Sequence, residues 1–187
     1  MAIWQFHIYL LPKESLLNKY GNIPAQLVID KEDRADHIQN ADLTIEPGFE
    51  DALTIHWWVD LHINLDSILP LLKTFGEIQS WTENADGLRG FGDTDTNDIS
   101  VCFDHATKIV EGVSCRLDLR QPDKNFIDKV LLLATKYECV LMDRQGRLYQ
   151  PSIEDLYNTI KLSNSNRFVR DPEQFLKDFS KGIITPE

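Results

Sequence analysis

The chain has 187 residues, a length typical of one domain, and its content of 42% hydrophobic and 26% charged residues is that of an ordinary globular protein. Its formal net charge of −11 and its pI near 4.8 predict a surface that repels phosphate backbones, so nucleic acid is not an expected partner. The charge suits a basic protein partner or a cation, although an acidic surface also keeps a protein soluble without any partner.

Neither secretion nor membrane insertion is predicted. The first residues, MAIWQFHIYLLPKE, lack the basic region and the small-residue cleavage site of a signal peptide. No run of about twenty uncharged apolar residues occurs, so we expect no transmembrane helix. The three cysteines, Cys102, Cys115 and Cys139, are odd in number and widely spaced, which favours free thiols in a reduced, cytoplasmic protein.

The N-terminal part of the chain alternates between strand-like and helix-like patterns. Ala2–Leu11 alternates apolar and polar residues, which predicts a strand, and Pro12 and Gly21 then frame a short helix. Ile23–Asp30 predicts an edge strand, because it contains a proline that cannot donate to a central ladder. The charge-rich segment Lys31–Glu50 predicts a long loop.

The most informative stretch is Leu53–Ile63, with the sequence LTIHWWVDLHI. Every second residue from Leu53 onward is apolar, and most of the residues between them are polar, a period typical of a long strand with one buried side. Such alternation favours an antiparallel sheet, because strands of a parallel sheet are apolar on both sides.

Periodicity and cap signals predict the remaining elements. Helices are predicted from Asp66 to Gly76, over Asp123–Tyr137, after the cap sequence Ser152-Ile-Glu-Asp155 and after Asp171-Pro172. Turns are predicted over Asn84–Gly92. Strands are predicted over Glu77–Thr82, Ile99–Phe103, Val113–Leu119, Cys139–Met142 and Arg147–Tyr149. The second and third of these strands are predicted to pair, with a bulge at Gly112 that relieves the placement of Glu111 on the apolar side.

These predicted strands come in runs punctuated by helices, without a regular β–α alternation, which predicts an α+β fold. We expect a mostly antiparallel sheet of about six strands with helices packed on one face. The expected organisation is a single domain over residues 1–187, with a long loop at 31–50 and a frayed tail at 182–187.

The polar side of the predicted long strand is the strongest candidate for a binding surface. Its side chains are His56, Trp58, Asp60 and His62, with His7 and Tyr9 added if the first strand lies alongside. Trp58 favours partner binding, because exposed tryptophan is enriched at interface anchors. Several histidines with an aspartate could instead bind a metal or carry out acid–base chemistry. A third interpretation is that these side chains are half-buried polar residues under a helix or loop, with no role in binding.

A second candidate is the acidic segment Asp93–Asp98. Asp93, Asp95 and Asn97 place oxygen atoms at alternate positions of a calcium-loop pattern. Asp98, however, stands where that loop requires glycine, and a strand-like stretch follows it. A turn between strands is therefore the simpler interpretation, with a weak cation site as the alternative. We include Asp93, Asp95 and Asp98 among the predicted partner-binding residues.

The remaining sequence patterns give little indication of a functional site. Arg116, Asp118 and Arg120 alternate in sign along one strand, which is typical of a solvated face. The sequence contains no nucleophile elbow, no Walker loop and no dinucleotide-binding motif. It therefore predicts no catalytic residue, no metal and no cofactor.

Four pieces of sequence carry a resemblance: GFGDTDTNDISVCF, VSCRLDLRQPDKNFIDKVLLLA, LMDRQGRLYQPS and NRFVRDPEQFL. From about residue 77 onward the chain resembles a group of small bacterial proteins that share this C-terminal layout, and more loosely the immunity proteins of bacterial toxin systems. The resemblance implies a small, acidic, cytosolic α+β protein that neutralises a toxin by binding it. It transfers no functional residue and does not cover the first 50 residues.

Two functional hypotheses remain. The acidic surface, the polar strand face and the resemblance favour a binding or inhibitory protein whose partner is a basic toxin domain. The alternative is a small enzyme or metal-dependent protein that uses His7, His56, Asp60 and His62.

Overall fold

A computed structural model describes residues 3–30 and 51–184, which form a six-stranded antiparallel sheet with the strand order β2-β3-β4-β1-β5-β6 and six α-helices. The strands are β1 Gln5–Pro12, β2 Leu88–Gly92, β3 Asp98–Phe103, β4 Val110–Asp118, β5 Cys139–Met142 and β6 Leu148–Tyr149. The helices are α1 Lys13–Tyr20, α2 Leu65–Leu72, α3 Lys124–Lys136, α4 Ile153–Lys161, α5 Asn164–Arg170 and α6 Pro172–Ser180. The predicted α+β fold is confirmed.

Strand register separates an apolar face of the sheet from a polar face. The apolar face is formed by Phe6, Ile8 and Leu10 in β1, Val113, Cys115 and Leu117 in β4, and Ile99 and Val101 in β3. These residues pair across the strands, and the buried side chains of α2, α3 and α4 join the same hydrophobic cluster. The polar face carries His7 and Tyr9 in β1, Asp98 and Ser100 in β3, and Ser114 and Arg116 in β4. Burial of one face explains the alternation along these strands.

Short segments cover both edges of the sheet. Along β2, Ile78 forms an isolated bridge to Phe91, and the 3₁₀ helix Ser80–Thr82 follows. The predicted strand over Glu77–Thr82 is thus wrong, because the Thr82 hydroxyl accepts from Gly90 N and ends the pairing. At β6, a single bridge from Gln26 to Arg147 takes the place of the predicted edge strand. Covered edges leave little backbone free for pairing with another chain.

Most helix starts follow their cap signals. Asp123, Ser152 and Asp171 each accept a hydrogen bond from a backbone N–H in the first turn of the following helix. The cap of α2 is Asn64 instead of the predicted Asp66, since the Asn64 side chain accepts from Asp66 N. Two elements were not predicted: α5, and the strand β2 in a stretch interpreted as turns.

The predicted long strand Leu53–Ile63 is wrong. Residues 52–58 form turns, and Val59–Leu61 is a 3₁₀ helix. The Asp51 carboxylate accepts from Leu53 N and Thr54 N, a local pattern that competes with strand pairing. The adjacent Trp57 and Trp58 are both buried, which a strand with one buried side does not allow.

A bulge in β4 is confirmed, one residue before the predicted position Gly112. Cys102 lies opposite Gly112 and the next residue, Phe103, lies opposite Val110, so Glu111 has no residue opposite it. Glu111 is thus the extra residue of the bulge. It is not bound by the strict alternation of the strand, which would have placed it on the apolar face.

The predicted loop 31–50 and residues 185–187 lie outside the described residues. Within the predicted tail, Ile184 is buried. Among the helices of residues 3–30 and 51–184, none is long and apolar enough to cross a membrane.

Candidate functional site

Residues 52–58 lie across the end of the sheet where β1 and β4 separate. Trp58 N donates to Glu111 O at 3.1 Å, and Trp58 Nε1 donates to Leu10 O at 2.7 Å. Trp57 Nε1 donates to Ala52 O at 2.8 Å, and the Ser15 hydroxyl donates to Trp57 O at 2.6 Å. Buried indole rings with satisfied N–H groups fix this segment against the sheet.

A cleft of about 330 Å³ lies between this segment and the polar face. Its walls include Leu53, Ile55 and Trp57 from the segment, and its floor includes Tyr9, Cys102 and Ser114 from three strands. The lining is mainly apolar with a few polar groups, which is the usual composition of a binding pocket.

A histidine and a glutamate face each other at this cleft. His56 Nδ1 lies 3.4 Å from Glu111 Oε1, with the histidine side chain 59% exposed and the glutamate side chain 22% exposed. The bulge in β4 makes the pair possible, because a regular strand would direct Glu111 into the core. The partly accessible Glu111 carboxylate could accept a hydrogen bond from a basic ligand in the cleft.

A buried polar network crosses the neighbouring part of the polar face. The Arg116 guanidinium donates to both carboxylate oxygens of Asp98, and Gln79 Nε2 donates to Asp98 Oδ2 at 3.0 Å. The hydrogen bond to Asp98 raises the pKa of Arg116 further. A side chain at Gly90 would clash with Gln79, so glycine is required for Gln79 to cross β2 and reach Asp98.

His7 lies beside this network, opposite Arg116 in the strand register. Burial, followed by the nearby cations Arg144 and Arg116, lowers the pKa of His7 from 6.5 to about 4. Its Nε2 atom is buried, and no hydrogen-bond partner for it occurs in the structure over the described residues. His7 is therefore neutral near pH 7, where it adds no positive charge beside Arg116.

His7 makes the stability of the protein depend on pH. Between pH 6.5 and pH 4 the unfolded chain binds a proton at His7 that the folded chain does not, so stability falls as the pH falls through this window. We expect the loss to reach about 2–3 kcal/mol. Urea unfolding at several pH values, compared between the wild type and His7→Gln, measures it. Parallel profiles for the wild type and His7→Gln would contradict this assignment.

The structure brings together only part of the predicted binding surface. Tyr9 and His56 both line the cleft. Trp58 also contributes to its lining, but its side chain is 0% exposed, so the prediction of an exposed Trp58 is wrong. Asp60 and His62 are exposed at the 3₁₀ helix, outside the lining of the cleft. The strand row that would have aligned these residues does not exist.

The acidic segment forms the turn between β2 and β3. Asp93 Oδ1 accepts from Asp95 N at 2.9 Å, and Asp95 O accepts from Arg120 Nη2 at 3.0 Å. Asp98 is buried in its pair with Arg116 and offers no surface to a partner. Asp93 and Asp95 remain exposed. This geometry agrees with the turn interpretation.

The metal-dependent form of the alternative hypothesis needs a cluster of ligating side chains. Among the residues that the structure describes, no group of three or more histidine, cysteine, aspartate or glutamate side chains could hold a metal ion. Burial raises the pKa of Cys139 to about 12 and raises that of Cys115 further. Burial and then the Glu111 carboxylate raise the pKa of Cys102. All three thiols therefore stay protonated near neutral pH, which is unfavourable for a nucleophile.

Sequence reasoning missed the role of Glu111 at the cleft and the buried state of two carboxylates. The only signal for Glu111 was its conflict with the alternation in β4, which predicted the bulge but not the contact with His56. Arg116 and Arg120 were interpreted as members of a solvated face. In the structure, Asp98 and Asp118 are 2% and 3% exposed and are paired with these arginines. Strand pattern alone does not show which carboxylates a neighbouring loop will cover.

In the comparisons with known proteins, no protein-family model, no curated protein and no solved structure matches this chain.

Proposed function

We propose that this protein is a binding and inhibitory protein of the immunity type, which neutralises a bacterial toxin by direct contact with it. The observation that carries the proposal is the cleft beside the β4 bulge, where an apolar lining meets the Glu111 carboxylate. A cleft of this composition suits an apolar side chain of a partner with a basic group next to it.

Charge supports the same proposal. The net charge of −11 favours a basic partner and would raise the rate of association at low salt. The looser resemblance to immunity proteins, noted from the sequence, also favours it. No motif in the sequence points instead to turnover of a substrate.

We expect a tagged form of the protein to capture one basic partner from its native lysate at low salt and to release it as the salt concentration rises. With that partner purified, Ile55→Ala and Glu111→Gln should each weaken binding about tenfold, which corresponds to about 1.4 kcal/mol. Isothermal titration would measure the affinities, and an assay of the partner's toxic activity would measure inhibition.

The adjacent 3₁₀ helix offers a matched control for each cleft variant: Val59 for Ile55 and Asp60 for Glu111. Val59→Ala and Asp60→Asn change an exposed aliphatic and an exposed acidic residue that do not line the cleft, so binding should stay within about twofold of the wild type. Equal affinity for the wild type and both cleft variants would exclude the cleft as the interface. A captured partner whose activity is unchanged on binding would refute the inhibitory role.

A further inference from the structure

The strongest unassigned feature of the molecule is an exposed tryptophan. Three of the four tryptophans have structural partners: Trp57 and Trp58 are buried, and Trp4 lies under the Arg120 guanidinium at 4.3 Å. Trp81 is 62% exposed, and within the described residues its ring has no aromatic, cationic or hydrogen-bonding partner. A large exposed aromatic ring without a structural role is typical of an interface anchor.

The turn that carries Trp81 is held firmly on the edge strand β2. Thr82 is 0% exposed, its hydroxyl donates to Gln79 O and accepts from Gly90 N, and its carbonyl accepts from Arg89 Nη1 at 3.1 Å. Gln79 N donates to Gly90 O at 2.8 Å, and the Gln79 side chain reaches Asp98. The backbone on both sides of Trp81 is therefore already fixed before a partner binds. Less conformational entropy is lost on association as a result.

The charged residues nearest to Trp81 in the sequence are acidic. Glu77, Glu83 and Asp86 are exposed, and no lysine or arginine occurs from residue 74 to residue 88. Arg89 follows, but its guanidinium donates to backbone carbonyls of the turn and lies 5.2 Å from the Phe103 ring. Residues 74–88 thus supply these carboxylates with no lysine or arginine, and Asp86 Oδ1 lies 3.1 Å from His105 Nδ1.

We propose that Trp81, with Glu77 and Glu83, forms a docking surface for an arginine side chain of a basic protein partner. The indole face attracts a guanidinium group stacked on it, and the flanking carboxylates accept its N–H donors. Arginine fits this surface better than lysine, because its planar group can stack and donate at the same time. The identity of the partner as a basic protein rests on the proposed function.

The part of β2 that holds the Trp81 turn lies within the span of one interface from the strands that line the cleft. Gly90, Ser100, Ser114 and Tyr9 lie opposite one another across four strands. At about 4.8 Å between neighbouring strands, the backbone distance from Gly90 to Tyr9 is about 14 Å. An interface of standard size, about 800 Å² on each partner, spans that distance.

A hexa-arginine peptide tests the surface without the partner. In spectra of protein labelled with ¹⁵N at tryptophan, we expect the indole N–H signal of Trp81 to shift saturably at low salt. The signals of Trp57 and Trp58 should stay in place, since their N–H groups are bonded to buried carbonyls. Trp81→Ala should weaken peptide binding about fivefold, and Glu77→Gln and Glu83→Gln about threefold each.

Exposed residues of the C-terminal helices supply the controls. Tyr157→Ala removes an exposed aromatic ring and Glu173→Gln an exposed carboxylate, and neither should change the peptide affinity by more than about 1.5-fold. A Trp81 signal that does not move, or equal peptide affinity for the wild type and Trp81→Ala, would overturn the proposal. A captured partner that binds Trp81→Ala as tightly as the wild type would also overturn it while leaving the inhibitory function intact. Failure of inhibition with a shifting Trp81 signal would overturn only the proposed function.

Discussion

Trp58→Ala is expected to lower the free energy of unfolding by about 3–5 kcal/mol. The ring is 0% exposed, its centroid lies 5.4 Å from that of Tyr137, and its N–H donates to Leu10 O at 2.7 Å. Truncation would leave a large cavity where β1 and β4 separate and would leave the Leu10 carbonyl without this donor. Urea unfolding followed by circular dichroism measures the loss.

Two further variants make the measurement decisive. Trp58→Phe keeps most of the ring and removes the hydrogen bond, so a loss of about 1–3 kcal/mol is expected. Trp81→Ala makes the same change at an exposed ring and should stay within about 0.5 kcal/mol of the wild type. Similar losses for Trp58→Ala and Trp81→Ala would show that Trp58 is not part of the core.

Arg116→Ala is expected to cost about 3–5 kcal/mol, because it leaves the buried carboxylate of Asp98 without its countercharge. Asp98 is 2% exposed and would keep only the neutral donor Gln79 Nε2 at 3.0 Å among its side-chain partners. The variant Arg116→Met combined with Asp98→Asn removes the buried charge together with the guanidinium, so it should recover most of the loss. Chemical denaturation of the single and double variants gives the coupling between the two residues.

An exposed ion pair serves as the reference for this experiment. Lys124 and Asp128 form an i, i+4 pair on α3 with side chains 80% and 52% exposed. Lys124→Ala should therefore cost no more than about 0.5 kcal/mol. If Arg116→Ala costs as little as Lys124→Ala, the network on the polar face does not contribute to stability.

The burial of Trp58 changes how binding experiments on this protein are interpreted. A loss of partner binding in Trp58→Ala would not locate Trp58 at the interface, because the substitution also destabilises the core. Glu111 and Trp81 are more informative positions, because their side chains are partly or largely accessible and do not belong to the core cluster. Ile55 is partly buried against that cluster, so its binding data need the stability of the variant beside them. Unfolding curves for each variant would separate loss of contact from loss of structure.

Local rules along the chain were sufficient for most of the fold. The caps at Asp123, Ser152 and Asp171 begin helices because a side-chain oxygen satisfies a free N–H group wherever it stands before a helical turn. The alternation in β1, β3 and β4 predicted strands because one side of each is buried in the core. The bulge at Glu111 followed from a break in that same alternation.

The candidate site depended on contacts between residues distant in sequence. Leu53–Ile63 has the period of a strand, yet the Asp51 carboxylate and the packing of two adjacent tryptophans give it a turn structure. Whether a tryptophan is buried or exposed depends on the element that packs over it, so Trp58 and Trp81 could not be distinguished by pattern. Glu111 meets His56 only because the chain returns to β4 after more than fifty residues. Periodicity describes one element at a time, and a cleft between elements arises only when they pack together.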